Sequence, residues 1–428
     1  MIRIIQEKDL NLAELTAPRG SSPDVGGVVS DILRAVRDGG DSALTALTER
    51  FDHVRLDRFE VTEQEMEEGL AAVEPEFFEI LREAAENIRS YHARQIRNNY
   101  VITEKDGVIL GKVFRPIQKV GMYVPNGTAA YPSTVMMDLI PAKLAGCEEI
   151  VMVSPPDREG RIDPYILAAA NVCGIQKTFK IGGAQAIAAL AYGTESIPAV
   201  QKIIGPGNAY VAEAKKQVHG IVSTDTVAGP SEVLVIADDK NSPAVVAADM
   251  LAQAEHDVEA SAMLITFSLC FAETVAAEIE AQLSTLPRRE IASRSIEKNG
   301  KIIVADSLDR AFFIANEVAP EHLEICLDEP MQYLPLVRNA GSVFLGRFSP
   351  EPLGDYMAGP NHTLPTGGSA KFSSALSVDD FMTASQFTCY SEQALGDIAD
   401  KIVRFARVEG LEGHARSILS RFQNEVAQ

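Results

Sequence analysis

Along residues 24–97 the apolar positions recur at helical spacing. Phe77, Leu81, Ala84, Ile88 and Tyr91 fall three or four residues apart, the stripe of a helix packed on a core. Thr62 and Glu65 have the spacing of a capping box. From residue 108 onward the pattern changes to short apolar runs separated by helical stretches. The first series predicts strands at Val120–Val124, Glu149–Ser154, Thr178–Ile181 and Lys202–Ile204. The second predicts Val233–Ala237, Met263–Phe267, Lys301–Ala305, Leu323–Leu327 and Ser342–Leu345. Strand–helix alternation with few tight hairpin signals predicts parallel sheets covered on both faces. Two series predict two α/β domains, joined near Thr226–Pro230. Regularity then breaks: residues 346–378, rich in glycine and proline, read as a functional loop. Residues 379–428 read as helical again, with too few apolar residues for a core of their own, so this tail must pack on its own body or on a second subunit.

Length and charge narrow the classes. At 428 residues the chain is long enough for two or three domains. Its 46% hydrophobic and 23% charged content is ordinary for globular proteins, which excludes disordered and membrane-bundle classes. A net charge of −21 repels phosphate backbones and anionic lipid, so neither nucleic acid nor membrane is an expected partner. The five cysteines, at 147, 173, 270, 326 and 389, are odd in number, widely spaced and without Cys-x-x-Cys. They predict neither a disulfide framework nor a thiolate zinc site. The N-terminus turns acidic too early for a signal peptide, and no apolar run reaches the roughly 18 residues of a membrane span. A soluble, cytoplasmic protein is the expectation.

Chemistry enters through the histidines. Among the seven, His53, His92 and His219 sit in helix or helix-end contexts and read as surface or cap residues. His256, His322, His362 and His414 lie at predicted element ends or in loops, three of them with a carboxylate within two residues. Together with Asp355 they form an imidazole–carboxylate donor set suited to zinc. Gln253 and His256, three apart on a predicted helix, leave from one face; no His-Glu-x-x-His is present, so a zincin is excluded. In Pro320-Glu321-His322 the proline favours a bend that turns both side chains into one cleft, where imidazole suits proton transfer near neutrality. Three turns, Tyr123–Gly127, Gly182–Gln185 and Gly205–Asn208, follow predicted strands, where α/β sheets bind ligands and helix N-termini attract anions. None matches the dinucleotide fingerprint, and each reads equally well as an ordinary strand–helix turn.

Taken together these motifs resemble the L-histidinol dehydrogenase family. The strings are Tyr123-Val-Pro, Gly182-Gly-Ala-Gln-Ala-Ile-Ala-Ala-Leu-Ala, Gly205-Pro-Gly-Asn and Ala228-Gly-Pro-Ser-Glu-Val-Leu. They continue with Gln253-Ala-Glu-His, Pro320-Glu-His-Leu, Gly354-Asp-Tyr, Asn361-His-Thr-Leu-Pro-Thr and Glu409-Gly-Leu-Glu-Gly-His, in the family's order across the chain. The resemblance implies a zinc-dependent oxidation of L-histidinol to L-histidine through histidinaldehyde, with two NAD reduced, in histidine biosynthesis. It implies zinc on Gln253, His256, Asp355 and His414, and acid–base roles for Glu321 and His322. Substrate contacts are implied on Ser231, His362 and Glu409, shared with His322 and the metal ligands. NAD contacts are implied on Tyr123, Gln185 and Asn208. It further implies an intertwined homodimer in which the tail bearing Glu409 and His414 enters the partner's site. Asn126 replaces a glycine usual in the family, a position where left-handed backbone would be tolerated.

The expected architecture is thus two doubly wound, incomplete Rossmann-like parallel-sheet domains with a helical N-terminal arm and a helical C-terminal tail. The expected boundaries are an arm over 1–22, a discontinuous first domain over 23–115 plus 230–378, a second over 116–229, and the tail over 379–428. Two other activities use the same residue types: a zinc hydrolase with Glu321 as the water-activating base, and a dehydrogenase of the same fold acting on another small polar alcohol. Ser231, His362 and Glu409 argue against the latter, and a non-catalytic scaffold leaves the histidine–acid motifs without a purpose.

Overall fold

The computed structural model of the chain describes residues 2–16, 25–126, 130–175, 177–225 and 229–422. Among these the strands are β1 (Arg3–Gln6), β2 (Tyr100–Lys105), β3 (Val108–Pro116), β4 (Lys119–Tyr123), β5 (Glu149–Ser154), β6 (Lys177–Lys180) and β7 (Lys202–Ile204). They continue with β8 (Ser223–Thr224), β9 (Glu232–Ala237), β10 (Ser261–Thr266), β11 (Lys301–Val304), β12 (His322–Cys326), β13 (Ser342–Leu345) and β14 (Met382–Tyr390). The chain divides into two compact units, Met1–Gln95 with Ile117–Phe381 and Ile96–Pro116 with Met382–Gln428.

The first unit holds two parallel sheets. One has the order β6-β5-β4-β7-β8, the other β1-β11-β10-β9-β12-β13. In both, the chain steps outward from a central strand (β4 or β9) over two strands, then returns to build the other side. Strands β9 and β10 are buried along their whole length, which is why they read as unbroken apolar runs rather than alternating ones. The predicted strands of both series therefore stand within a residue or two of their expected positions, and the doubly wound parallel architecture holds. The join expected near Thr226–Pro230 falls partly outside the described residues.

The amphipathic helices of the N-terminal third belong elsewhere than expected. Val29, Ile32, Val36 and Leu44 of helix Gly26–Phe51 share a core with Val151, Ile187 and Ile203 of the β4–β8 layer. Helix Pro75–His92 packs against helix Pro132–Ala145 of that same layer. The boundary that joined 23–115 to 230–378 is thus corrected: an apolar stripe announces burial but does not say against which sheet. The arm contributes β1, paired with β11 in register Arg3↔Lys301, as well as the short helix Leu12–Thr16.

The second unit is a three-stranded antiparallel sheet, β14-β3-β2, with helices Glu392–Val408 and Glu412–Leu419. Its tail was expected to be helical from 379, yet Met382–Tyr390 is a strand paired with β3 from Met382↔Pro116 to Tyr390↔Val108. All but the first residue of β14 are exposed, so no alternation of apolar positions announces the strand. Asp106-Gly107 joins β2 to β3, with Gly107 at φ 71°, the tight hairpin signal that the alternation argument passed over. The unit's core is small: Val403, Ala406 and Ala415 are buried, while Phe405 and Val408 are 69% and 83% exposed. All five cysteines are free. Among the described residues no helix is long and apolar enough to cross a membrane.

Candidate active site

The chemistry-bearing side chains of the β9–β13 sheet gather at the amino ends of its central strands. Helix Leu308–Val318 ends on Ala319 in left-handed conformation (φ 50°), and Pro320 then turns the chain into β12. Gly341 closes against this corner, where a Cβ would stand 2.6 Å from the Glu321 carbonyl. The bend places both Glu321 and His322 against neighbouring β9. Glu321 Oε2 accepts the Glu232 amide at 2.8 Å, and Ser231 also bonds the Glu321 side chain. His322 Nδ1 lies 2.9 Å from the Glu232 carbonyl, which can only accept, so Nδ1 carries the proton and Nε2 presents its lone pair. That Nε2 atom is buried and has no hydrogen-bond partner. Burial pushes the His322 imidazole down to about 4 despite Asp355 nearby, which keeps it neutral. Burial, reinforced by the Glu232 and Asp355 carboxylates, holds Glu321 well above the ordinary range.

Beside His322 lies an acidic–imidazole cluster. His256 follows the C-cap of helix Pro243–Ala254; Glu351 and Asp355 stand four apart, one turn, on helix Glu351–Tyr356. One donor atom from each of these three lies within 4.8 Å of the others. Gly354 lets that helix press on Phe344, where a Cβ would come within 2.6 Å of the ring. Asp355 Oδ1 is 3.4 Å from His362 Nδ1. Burial alone would raise Asp355, but the His362, His322 and His256 rings bring it to about 2. His362 is lifted above its usual value, the Asp355 carboxylate outweighing burial. A cavity of about 220 Å³ opens here, lined by His322, Phe344, Asp355, Asn361 and His362. Gln253, one turn ahead of His256, is wholly buried, and neither its amide oxygen nor its nitrogen has a partner.

The β4–β8 sheet uses its other end. Its switch point lies between β4 and β7, and the turns after both strands meet there. Gly205 (φ 110°) passes so close to β4 that a Cβ would stand 2.0 Å from the Tyr123 carbonyl. The Tyr123 hydroxyl, pushed up to about 12 by burial, accepts the Gly183 amide at 3.2 Å. Asn208 caps helix Ala209–Val218, its Oδ1 accepting the Tyr210 and Val211 amides at 3.0 and 3.2 Å. Gln185 is buried on the first turn of the helix after Gly182, with Nε2 3.5 Å from Asp52. Asn126 does not take up left-handed backbone; its Nδ2 donates to the Pro155 carbonyl at 3.0 Å, and Gly127 lies outside the described residues.

A buried polar bridge links the two ends. Lys215 Nζ donates to the Gly205 carbonyl at 2.9 Å and pairs with Asp225, whose Oδ2 accepts the Gly205 amide at 2.8 Å. Thr363 Oγ1 donates to Asp138 Oδ1 at 2.8 Å, and Asn361 Nδ2 to the Met137 carbonyl at 2.6 Å. The segment bearing His362 is thereby pinned to helix Pro132–Ala145 of the other layer. Burial raises Asp138 to about 7.

The structure brings together Ser231, His256, Glu321, His322, Asp355 and His362, and places Tyr123, Gln185 and Asn208 around the second switch point. Glu409 and His414 are exposed residues of the second unit. Sequence reasoning missed Glu351, although its one-turn spacing from Asp355 was visible, and the Lys215–Asp225 pair, which no motif announces.

A doubly wound protein with glycine turns at the switch point of one sheet and an imidazole–carboxylate pocket on the other defines a two-site α/β class. The histidinol dehydrogenase family model matches residues 16–422. A histidinol dehydrogenase of Bacillus cereus (strain ATCC 10987 / NRS 248) is 52% identical over 99% of this chain and 96% of that protein. One from Geobacillus kaustophilus (strain HTA426) is 54% identical over 92% and 93%. The crystal structure of histidinol dehydrogenase from Elizabethkingia anophelis matches with a TM-score of 0.94 at 37% identity, covering 100% of this chain and 99% of that one. The chain belongs to the histidinol dehydrogenase family.

Proposed function

We propose that this protein oxidises L-histidinol to L-histidine through histidinaldehyde, reducing two NAD, as the last step of histidine biosynthesis. The observation that carries the reading is His322: Nδ1 anchored on a carbonyl, Nε2 bare and buried at the wall of a cavity shared with Asp355 and His362. The donor set fits a zinc ion: an imidazole, buried carboxylates and a glutamine amide with both polar atoms unpartnered. Gln253, His256 and Asp355 would hold it, with His414 from the tail. When bound, the ion gives the substrate's imidazole and amine a fixed point of attachment, and NAD supplies the hydride acceptor.

In the first oxidation His322 takes the hydroxyl proton at Nε2 as the carbon gives up its hydride. In the second, Glu321 takes a proton from water as the water adds to the aldehyde, whose oxygen takes back the proton held by His322, and His322 then takes a hydroxyl proton of the hydrate as the second hydride leaves. His362, its imidazole raised by the Asp355 carboxylate, lines the pocket where the substrate's polar groups must be matched, and Ser231 bonds the adjacent Glu321. Tyr123, Gln185 and Asn208 surround the dinucleotide crevice, where backbone amides at a helix N-terminus offset the chain's negative charge. We further read the protein as a cytoplasmic homodimer whose tails supply Glu409 and His414. The sparse core and exposed apolar residues of the second unit support that reading.

The test is to mix purified protein with NAD and histidinol and follow reduced nicotinamide, with and without a chelator. Two reduced nicotinamides per histidinol, lost on chelation, are expected. Histidinol consumed without nicotinamide reduction would instead indicate a hydrolase.

A further inference from the structure

We propose that Glu351 is a further ligand of the cation in the substrate-free protein, completing an intrachain set with Gln253, His256 and Asp355. The inference rests on the zinc reading above and adds to it a residue that the family motifs do not single out.

Four observations converge on it. One donor atom each from Glu351, His256 and Asp355 lies within a 4.8 Å sphere, whereas the same cluster contains no atom of His322 or His362. Glu351 Oε1 is buried and lacks any hydrogen-bond partner, on a side chain only 3% exposed. A buried carboxyl oxygen left bare beside a second carboxyl group and an imidazole is one that a cation would stabilise. Two carboxylates and a neutral imidazole match the charge of a dication. The carboxyl is also held in place, since the Glu351 amide donates to Glu324 Oε1 at 2.7 Å and the one-turn spacing sets Asp355 beside it.

A rival role is to orient His322. Glu351 Oε1 stands 3.8 Å from His322 Nε2, beyond hydrogen-bonding distance, so Glu351 does not hold the ring in place. The Glu232 carbonyl already does that from the other nitrogen. As a ligand, Glu351 places the ion next to the base, and the substrate's nitrogens can displace it on entry.

The test measures zinc affinity of the full-length protein in metal-buffered solution without substrate, for wild type and Glu351→Gln. An isosteric amide keeps the packing and removes the charge. The expected result is one tightly held zinc in wild type and a dissociation constant raised by at least about 10–100-fold in Glu351→Gln, the loss typical of altering even an outer-shell partner. The visible bands of the cobalt-loaded protein should shift as well. Glu351→Asp, which keeps the carboxylate but draws it back, should fall between, and it serves alone if the glutamine variant does not fold. Equal zinc affinity and an unchanged cobalt spectrum in both variants overturn the proposal while leaving the zinc reading intact. A wild type that holds no zinc overturns both.

Discussion

The two parallel sheets of the first unit have the same winding and gather their distinctive residues at opposite ends. In the β4–β8 sheet the carboxyl-end switch point is bordered by Tyr123 and Gly205, with backbone where side chains would otherwise stand. In the β9–β13 sheet the corresponding end is filled by side chains. There Asn241 donates to the Cys326 carbonyl, and Arg347 joins Asp238, Asp328 and Asn241 in one network. Its chemistry sits instead at the amino ends of β9 and β12, on Ser231, Glu321 and His322. A nucleotide needs close backbone approach and amide donors, which a glycine turn at a strand's carboxyl end provides. Proton transfer needs buried titratable side chains held at fixed spacing, and those come from rigid strand starts and a short helix. Topology alone therefore does not distinguish the two ends; the residues do.

The comparison can be broken most sharply at His322. His322→Asn should slow both oxidations by about 10²–10⁴-fold, the typical worth of a positioned acid–base group. Turnover with histidinol and with histidinaldehyde checks this, and loss of only one step would contradict it. At the other sheet the effect should appear in stability and dinucleotide binding. Lys215→Met leaves Asp225 buried and uncompensated, and unfolding should become easier by about 3–5 kcal/mol. The Michaelis constant for NAD should rise while that for histidinol holds. A variant with wild-type melting and NAD affinity would show that the clamp on Gly205 does nothing.

A smaller effect follows from His322's lowered value of about 4, against an ordinary 6.5. The unfolded chain takes up the proton first as pH falls, so this group's contribution is complete above about 6.5 and is lost on descending toward 4. In chelated protein, denaturant unfolding of wild type should lose stability relative to His322→Asn by up to about 1.4 kcal/mol per pH unit across that window. Parallel curves would show that the ring is not held neutral. Smallest of all, serine at the exposed Cys270 and Cys389 should leave turnover unchanged. A large loss would give a thiol a role that neither sheet end assigns to it.

Much of this was legible in the chain because strands buried on both faces write themselves as apolar runs, and because site residues such as Glu321-His322 travel in compact strings. What was not legible depended on long-range pairing. β14 is exposed along nearly its whole length and finds β3 more than 260 residues earlier. Helix Gly26–Phe51 has an apolar face that would suit either sheet. Lys215 and Asp225 become meaningful only once Gly205 lies between them. Glu351 stood in plain view, but a lone glutamate after a proline carries no chemistry until the fold sets it beside His256. Glu409 and His414 lie in the second unit, and their part in the site remains with the homodimer proposal.

The division of labour between the two sheet ends is tested most directly by measuring the equilibrium affinity of His322→Asn for NAD. The account predicts a dissociation constant within about twofold of wild type alongside the collapse in turnover, because no part of the proposed dinucleotide site is altered. A loss of NAD affinity as large as the loss of turnover would contradict it.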